Sequence, residues 1–390
     1  MMKIDLSGQW QVKLDAEKQE TMPQAYPETM TLPGTTSAAG LGMPNSAKET
    51  GCLTDAYRFE GAAWFMRTFT AGEWTGEQTM LTLERTRKTT VYLDGRPIGH
   101  QESLCTPHRY FLPPVHAGEH TLVIRVDNTD YPTRGGHLTS PDTQSNWNGI
   151  TGEISLTVAH TLLTDLTVRP DLRRGCLRVH GHIIGAPDGV AGIVLPGQME
   201  HLLPYRRGVL DGECPLKGNE AFWDEAHPEI HTISIDLDGD VYETTFGLRD
   251  VRTLGRRLLI NGRETFLRGK VDNLLYPKTG YTPTDVASWM TILGIAKEYG
   301  INHYRYHTAC PPDAAFTAAD LLGVYMAPEL PFWGTVAEEG EEGYDERERD
   351  FLFQEGFRIL REYGHHPSFL WLSLGNELLS LIHISEPTRH

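Results

Sequence analysis

Residues 371–378, WLSLGNEL, place an apolar strand, Trp371 to Leu374, directly before Gly375-Asn376-Glu377. A carboxylic acid beside apolar surface is desolvated, which raises its pKa and lets it deliver a proton near neutral pH. A neighbouring amide can hydrogen-bond a substrate hydroxyl. Taken alone, the tripeptide serves at least as well as a helix start capped by Asn376. Its surroundings add weight to the chemical reading. Arg305 and His307 lie two apart on the strand-like NHYRYH and so share a face, and Glu329 ends VYMAPEL one unit later. Three successive strand-like runs thus finish in Arg/His, Glu and Asn/Glu, at the end of a parallel strand where α/β sheets carry their functional groups. Arg305 is read equally as a salt-bridge partner that supports the site through Glu329 and as a direct substrate contact. His307 is read as a ligand-contacting donor. Trp333, in PFWG, either stacks on a sugar-like ring or covers the rim.

The elements that must position these residues follow from the periodicity. From Gln9 to about Ala159 the apolar period is two, in short runs broken by Gly, Pro and Asp. The hairpin signal Asp94-Gly95 follows Thr90 to Leu93, and Leu122, Ile124 and Val126 share one face. This predicts a sandwich or jelly roll. A second strand-rich block runs from about Thr161 to Gly247, with Asp238-Gly239 between two alternating runs, and predicts a separate small sandwich. After Leu248, helical spacing in ASWMTILGIAKEYG, PDAAFTAADLLG and RERDFLFQEGFRILREYG alternates with strand-like INHYRYH, VYMAPEL and FLWLSLG, the last read as a buried strand. Such alternation predicts a parallel α/β sheet. The acidic run from Glu338 to Asp350 is expected to be a solvated loop leading into a helix.

Composition narrows the class of function. The 390 residues are 39% hydrophobic and 22% charged, a balance that suits two or three globular domains and disfavours disorder or a membrane span. Lys and Arg total 35 against 52 Asp and Glu, a net charge of −17 that repels nucleic acid and anionic membranes. The five cysteines are never spaced as CxxC, so neither a zinc site nor a complete disulfide set is signalled. No leader-like apolar run opens the chain, which favours the cytoplasm, or the periplasm or an exported state if the N-terminus is incomplete. No GxSxG, GxxxxGK[ST] or HExxH motif occurs.

The ordered set of segments resembles glycoside hydrolase family 2, which includes β-galactosidases, β-glucuronidases and β-mannosidases. DLSGQW, LPGTT, GAAWFMRTF, VYLDGRPIG and WNGITGEISL look like the family's N-terminal jelly roll. FWDEAHPEIHTISIDL and FGLRDV look like the end of its immunoglobulin-like domain. INGRETFLRG, INHYRYHTACPPDAAFTAADLLGVYMAPE and EYGHHPSFLWLSLGNE look like the first half of its (β/α)8 TIM barrel. The resemblance implies a jelly-roll β-sandwich over 1–160, an immunoglobulin-like β-sandwich over 161–248 and an incomplete barrel over 249–379. It also implies retaining hydrolysis of a terminal β-linked sugar, most simply of the β-galactosidase type, with a glycoside or oligosaccharide as substrate. No organic cofactor and no metal ligand set are implied; a divalent or sodium ion and a homo-oligomer are compatible with the resemblance, and the sequence shows neither. Glu377 would be the general acid/base and Asn376 the amide holding the sugar 2-hydroxyl. Arg305, His307 and Pro311-Pro312 match the family's Arg, His and Pro pattern with changed spacing.

The second carboxylate, the nucleophile, would lie about 5–5.5 Å from the acid/base. The resemblance puts it at the end of the seventh strand. A (β/α)8 barrel takes about 250 residues, so a chain carrying only its first half has no candidate for this nucleophile. Residues 380–390, SLIHISEPTRH, do not continue the family pattern and read as a non-native tail. The reading of another class is a non-catalytic carbohydrate-binding protein; a pure scaffold leaves the charged strand ends unexplained.

Overall fold

The structure, a computed structural model, describes residues 1–47, 50–74, 77–140, 145–335, 337 and 339–379. The 380–390 segment and Glu338 lie outside the described residues.

Two antiparallel sheets build the first unit. One has four strands in the spatial order Met2–Asp5, Ile154–Ala159, Gln78–Leu83, His108–Leu112. The other has six, in the order Arg96–Gln101, Lys88–Leu93, Gly118–Asp127, Ala62–Ala71, Gly8–Asp15, Glu28–Leu32. Alternation turns one face of each sheet inward, so that Trp10, Phe65, Leu81, Leu122, Ile124, Val126 and Leu156 share one buried core. The Asp94-Gly95 turn closes its hairpin with both residues at positive φ, 49° and 79°, as a two-residue turn of this twist requires.

The second unit is one seven-stranded antiparallel sheet, ordered Leu162–Asp171, Cys176–Ile184, Val209–Pro215, His201–Arg206, Gly189–Val194, His231–Leu237, Asp240–Phe246. Inward side chains from all seven strands meet in one core, and the first and last strands come together, which nearly closes the sheet into a barrel-like shape.

A parallel sheet follows in the third unit: Gly269–Asp272, His303–Tyr306 and Tyr325–Ala327. Helices α1 (Val286–Glu298), α2 (Asp313–Leu322) and α3 (Glu346–Tyr363) contribute to one core with it through Trp289, Phe316, Ile359 and Tyr363, together with Tyr304, Tyr306 and Met326 of the strands. Among the described residues, the segment after α3 meets the third strand and the residues just past it by isolated parallel bridges at Met326–Phe369 and Glu329–Ser373. This corrects the expected buried strand. Trp371 is 42% and Leu374 65% exposed, because no strand pairs with the outer side of this segment among the described residues. Phe353 and Phe357 of α3 are likewise exposed beside it and line an apolar groove of about 390 Å³. Among the described residues no helix is long and apolar enough to cross a membrane.

The units are joined by buried polar contacts. Glu355 of α3, fully buried, accepts from Ser103 Oγ (2.9 Å) and from the backbone N–H of Leu104 (2.9 Å) and Cys105 (2.8 Å) in the first unit. Arg109 forms a two-pronged pair with Glu362, both contacts at 2.6 Å. Trp223 of the second unit donates its indole N–H to Asp320 O at 2.8 Å. The acidic run before α3 is also more than a solvated loop: Asp345 caps the helix and pairs with Arg134, and Glu348 accepts from Arg134 N.

Below the sheet, His366 lies between Asp320 (2.6 Å) and Asp313 (3.2 Å). Burial disfavours its charged form, but the two carboxylates outweigh burial and hold its pKa at about 10, above the ordinary 6.5. A folded-state pKa raised in this way gives stability that is complete below the unfolded value and is lost as pH climbs through the folded one. The melting temperature is therefore expected to fall between pH 6.5 and about 10. His366→Gln should flatten that stretch of the profile, which scanning calorimetry of both proteins would show.

Candidate active site

Strand alternation decides which side chains of the second parallel strand reach the site. Tyr304 and Tyr306 are turned into the helix-side core, so Arg305 between them points to the opposite face. Its guanidinium is fixed from two sides. The Nε donates to Glu329, and an Nη donates to Asn376 Oδ1 at 2.9 Å. Glu329 is fully buried, and its other oxygen accepts from Thr308 N at 3.0 Å. Both carboxylate oxygens are therefore engaged, as a buried charge requires. Arginine offers donors only, so Asn376 must turn its carbonyl oxygen towards Arg305, which leaves its NH2 to donate elsewhere.

The Gly375-Asn376-Glu377 turn is set by a close backbone passage. Gly375 has φ 138°, and a Cβ there would sit 2.6 Å from Phe332 O, so only glycine lets the chain pass and Asn376 N reach Phe332 O at 3.0 Å. Beyond it, Asn376–Leu379 pairs in parallel with Trp333–Thr335. These residues form a short strand, not the helix start that the tripeptide also allowed. Glu377, at φ 46°, is exposed, and its Oε2 accepts from the indole N–H of Trp333 at 2.9 Å. The apolar enclosure expected around this carboxyl is absent among the described residues. The Trp333 ring in turn meets the His307 ring edge-on, with centroids 5.3 Å apart. Nδ1 of His307 is shielded from solvent and makes no hydrogen bond among the described residues.

All six residues singled out from sequence thus occupy one rim at the carboxyl ends of the parallel strands, in two layers. Glu329 and Asn376, both buried, form an inner base with the part-exposed Arg305 that joins them. Glu377, Trp333 and His307 form the outer edge. The salt bridge read for Arg305, to Glu329, is present. Among the described residues no group of three or more His, Cys, Asp or Glu side chains is placed to hold a metal ion.

Three further residues belong to this rim and were not picked out from the sequence. His137, on a loop of the first unit, lies 4.5 Å ring to ring from His307 and 6.0 Å from Trp333. Asn273 donates to its Nε2 at 2.8 Å, and Thr308 Oγ1 accepts from its backbone N–H at 2.7 Å. The only local signal was the Gly135-Gly136 pair before His137, and nothing in one sequence says where such a loop docks. Burial, and then His307, push the His137 pKa down to about 4.

No protein-family model and no curated protein sequence matches the chain. Solved structures do. A GH2 β-galacturonidase from Eisenbergiella tayi bound to galacturonate aligns over 97% of this chain and 66% of its own length, at 19% identity and TM-score 0.77. A β-glucuronidase from Ruminococcus gnavus aligns over 97% and 67%, at 17% identity and TM-score 0.74. The β-glucuronidase of Faecalibacterium prausnitzii aligns over 97% and 68%, at 18% identity and TM-score 0.76. The chain has the fold of these enzymes and spans about two thirds of their length.

Proposed function

We propose that the chain carries the acid/base half of a retaining exo-β-glycosidase site, acting on the terminal β-linked sugar of a glycoside or oligosaccharide. The observation that carries this reading is the layered rim, in which Arg305, paired with the buried Glu329, orients the Asn376 amide beside a solvent-facing Glu377. In the first step Glu377, as the acid, gives its proton to the departing glycosidic oxygen. In the second, as carboxylate, it takes a proton from the water that attacks the glycosyl-enzyme. The Trp333 N–H occupies Oε2 and leaves Oε1 to face the leaving group. The NH2 of Asn376, turned outward by Arg305, donates to the sugar 2-hydroxyl. Trp333 and His307 form the wall against which the ring lies.

We read 1–160 as a jelly-roll domain, 161–248 as an immunoglobulin-like domain and 249–379 as the first half of a TIM barrel whose second half carries the nucleophile. For the sugar, a β-glucuronide or β-galacturonide is favoured over a β-galactoside, because the enzymes that share the fold are named for uronides. Arg305 Nε and one Nη are engaged by Glu329 and Asn376, and the remaining guanidinium N–H groups of this part-exposed side chain are the donors it could offer a uronate carboxylate.

A panel of nitrophenyl β-glycosides tests the reading. The 390-residue chain is expected to release no nitrophenol from any of them, whereas residues 1–379 followed by the second half of the barrel are expected to turn over one sugar class. Turnover by the 390-residue chain itself, abolished by Glu377→Gln, would contradict the placing of the nucleophile outside it.

A further inference from the structure

The loop that bears His137 leaves the first unit and threads along the rim of the third. Thr133 Oγ1 donates to Pro331 O at 3.0 Å, Gly135 forms an antiparallel bridge with Phe332, and His137 N donates to Thr308 Oγ1. The approach is so close that only glycine fits. A Cβ on Gly135, whose φ is 82°, would overlap the carbonyl oxygen of Trp333, and one on Gly136 would sit 2.7 Å from Pro331 O. Behind the loop, Arg87 is buried against the Trp147 ring at 4.0 Å and donates to Leu138 O at 3.0 Å. The loop is therefore pinned on both sides, and His137 on it is buried.

We propose that His137 is a positioning residue for the sugar site, delivered across the unit boundary to set the His307 and Trp333 rings. The proposal rests on the glycosidase reading of that rim. Asn273, at the end of the first parallel strand, donates to Nε2, so neutral His137 carries its proton on Nδ1, in one tautomer and one ring plane. That fixed ring packs against His307, whose own Nδ1 makes no hydrogen bond among the described residues, so packing sets the His307 ring where hydrogen bonding at Nδ1 does not. Trp333 is touched by both imidazoles and donates to Glu377. A group of the first unit thereby holds two walls of the site and, through Trp333, the orientation of the acid/base. The site is built by two units.

The test uses the 390-residue chain and two readouts: calorimetric titration with methyl β-glucuronide, β-galacturonide and β-galactoside, and the ring-nitrogen NMR pattern of His307, which reports its tautomer. His137→Phe keeps the ring but loses the acceptor for Asn273. It should alter the His307 pattern and weaken glycoside binding about 10-fold, the scale of one oriented hydrogen bond. His137→Gln, which offers Asn273 an oxygen acceptor, should recover most of the affinity. The recovery in His137→Gln guards against a variant that merely folds poorly. An unchanged His307 pattern and unchanged affinity in a folded His137→Phe protein would overturn the proposal. If no glycoside binds the unaltered chain, it is the sugar-site reading that fails. The His307 pattern then still decides the positioning claim, which stands if His137→Phe changes it and falls if it does not.

Discussion

Glu377→Gln, in a barrel completed by its second half, is expected to lower kcat/KM for alkyl β-glycosides by about 10²–10⁴-fold, the usual contribution of a positioned general acid or base. The loss should depend on the leaving group. A dinitrophenolate departs without a proton, so glycosylation of the enzyme from a dinitrophenyl glycoside should be nearly unaffected while deglycosylation, which needs the base, stays slow. Azide, a nucleophile that requires no base, should then restore turnover. Gln preserves the size of the side chain and an oxygen acceptor for the Trp333 N–H, so the rim should keep its shape. Steady-state rates on the two substrate types, with and without azide, separate a lost proton donor from a damaged fold. Equal losses on both substrates and no azide effect would argue against an acid/base role for Glu377.

Glu355→Ala is expected to cost about 2–5 kcal/mol of stability, at about 1–3 kcal/mol for each buried donor it strands. The carboxylate is fully buried and takes donors from Ser103, Leu104 and Cys105, with Arg358 at 3.3 Å on its other oxygen. Removing it strands two backbone N–H groups in a site closed to water and leaves a cavity besides. Glu355→Gln keeps one oxygen acceptor and should cost less. Urea unfolding followed by tryptophan fluorescence gives both values. Because Glu355 ties α3 to the first unit, the alanine variant should also split a single transition into two if the units then unfold separately.

Most of the elements were legible because their signals are local. The Asp94-Gly95 and Asp238-Gly239 turns, the apolar alternation around Ile124, and the helical spacing in α1 to α3 need only a short window of residues. The strand-end chemistry was legible for a related reason: in a parallel sheet, the side chains just past successive strands arrive at one edge, so Arg305, Glu329 and Glu377 had to be neighbours if the strands were parallel. Contacts across unit boundaries were not legible. Nothing near Gly135 signals that its loop crosses to Trp333, and nothing near Glu355 signals the loop at Ser103. The apolar residues around Trp371 predict a buried strand, but apolarity reports an expected neighbour, not one that is present. Glu377 is exposed for the same reason.

The indole N–H resonance of Trp333 tests the central claim most directly, since that proton bridges the proposed ring-stacking wall and the proposed acid/base. During titration of the chain with methyl β-glycosides, the account predicts that one sugar class moves this signal to saturation, and that Asn376→Ala, which removes the donor to the 2-hydroxyl, abolishes or greatly weakens the response. A signal that no glycoside moves in the folded chain, or a response that Asn376→Ala leaves intact, would contradict it.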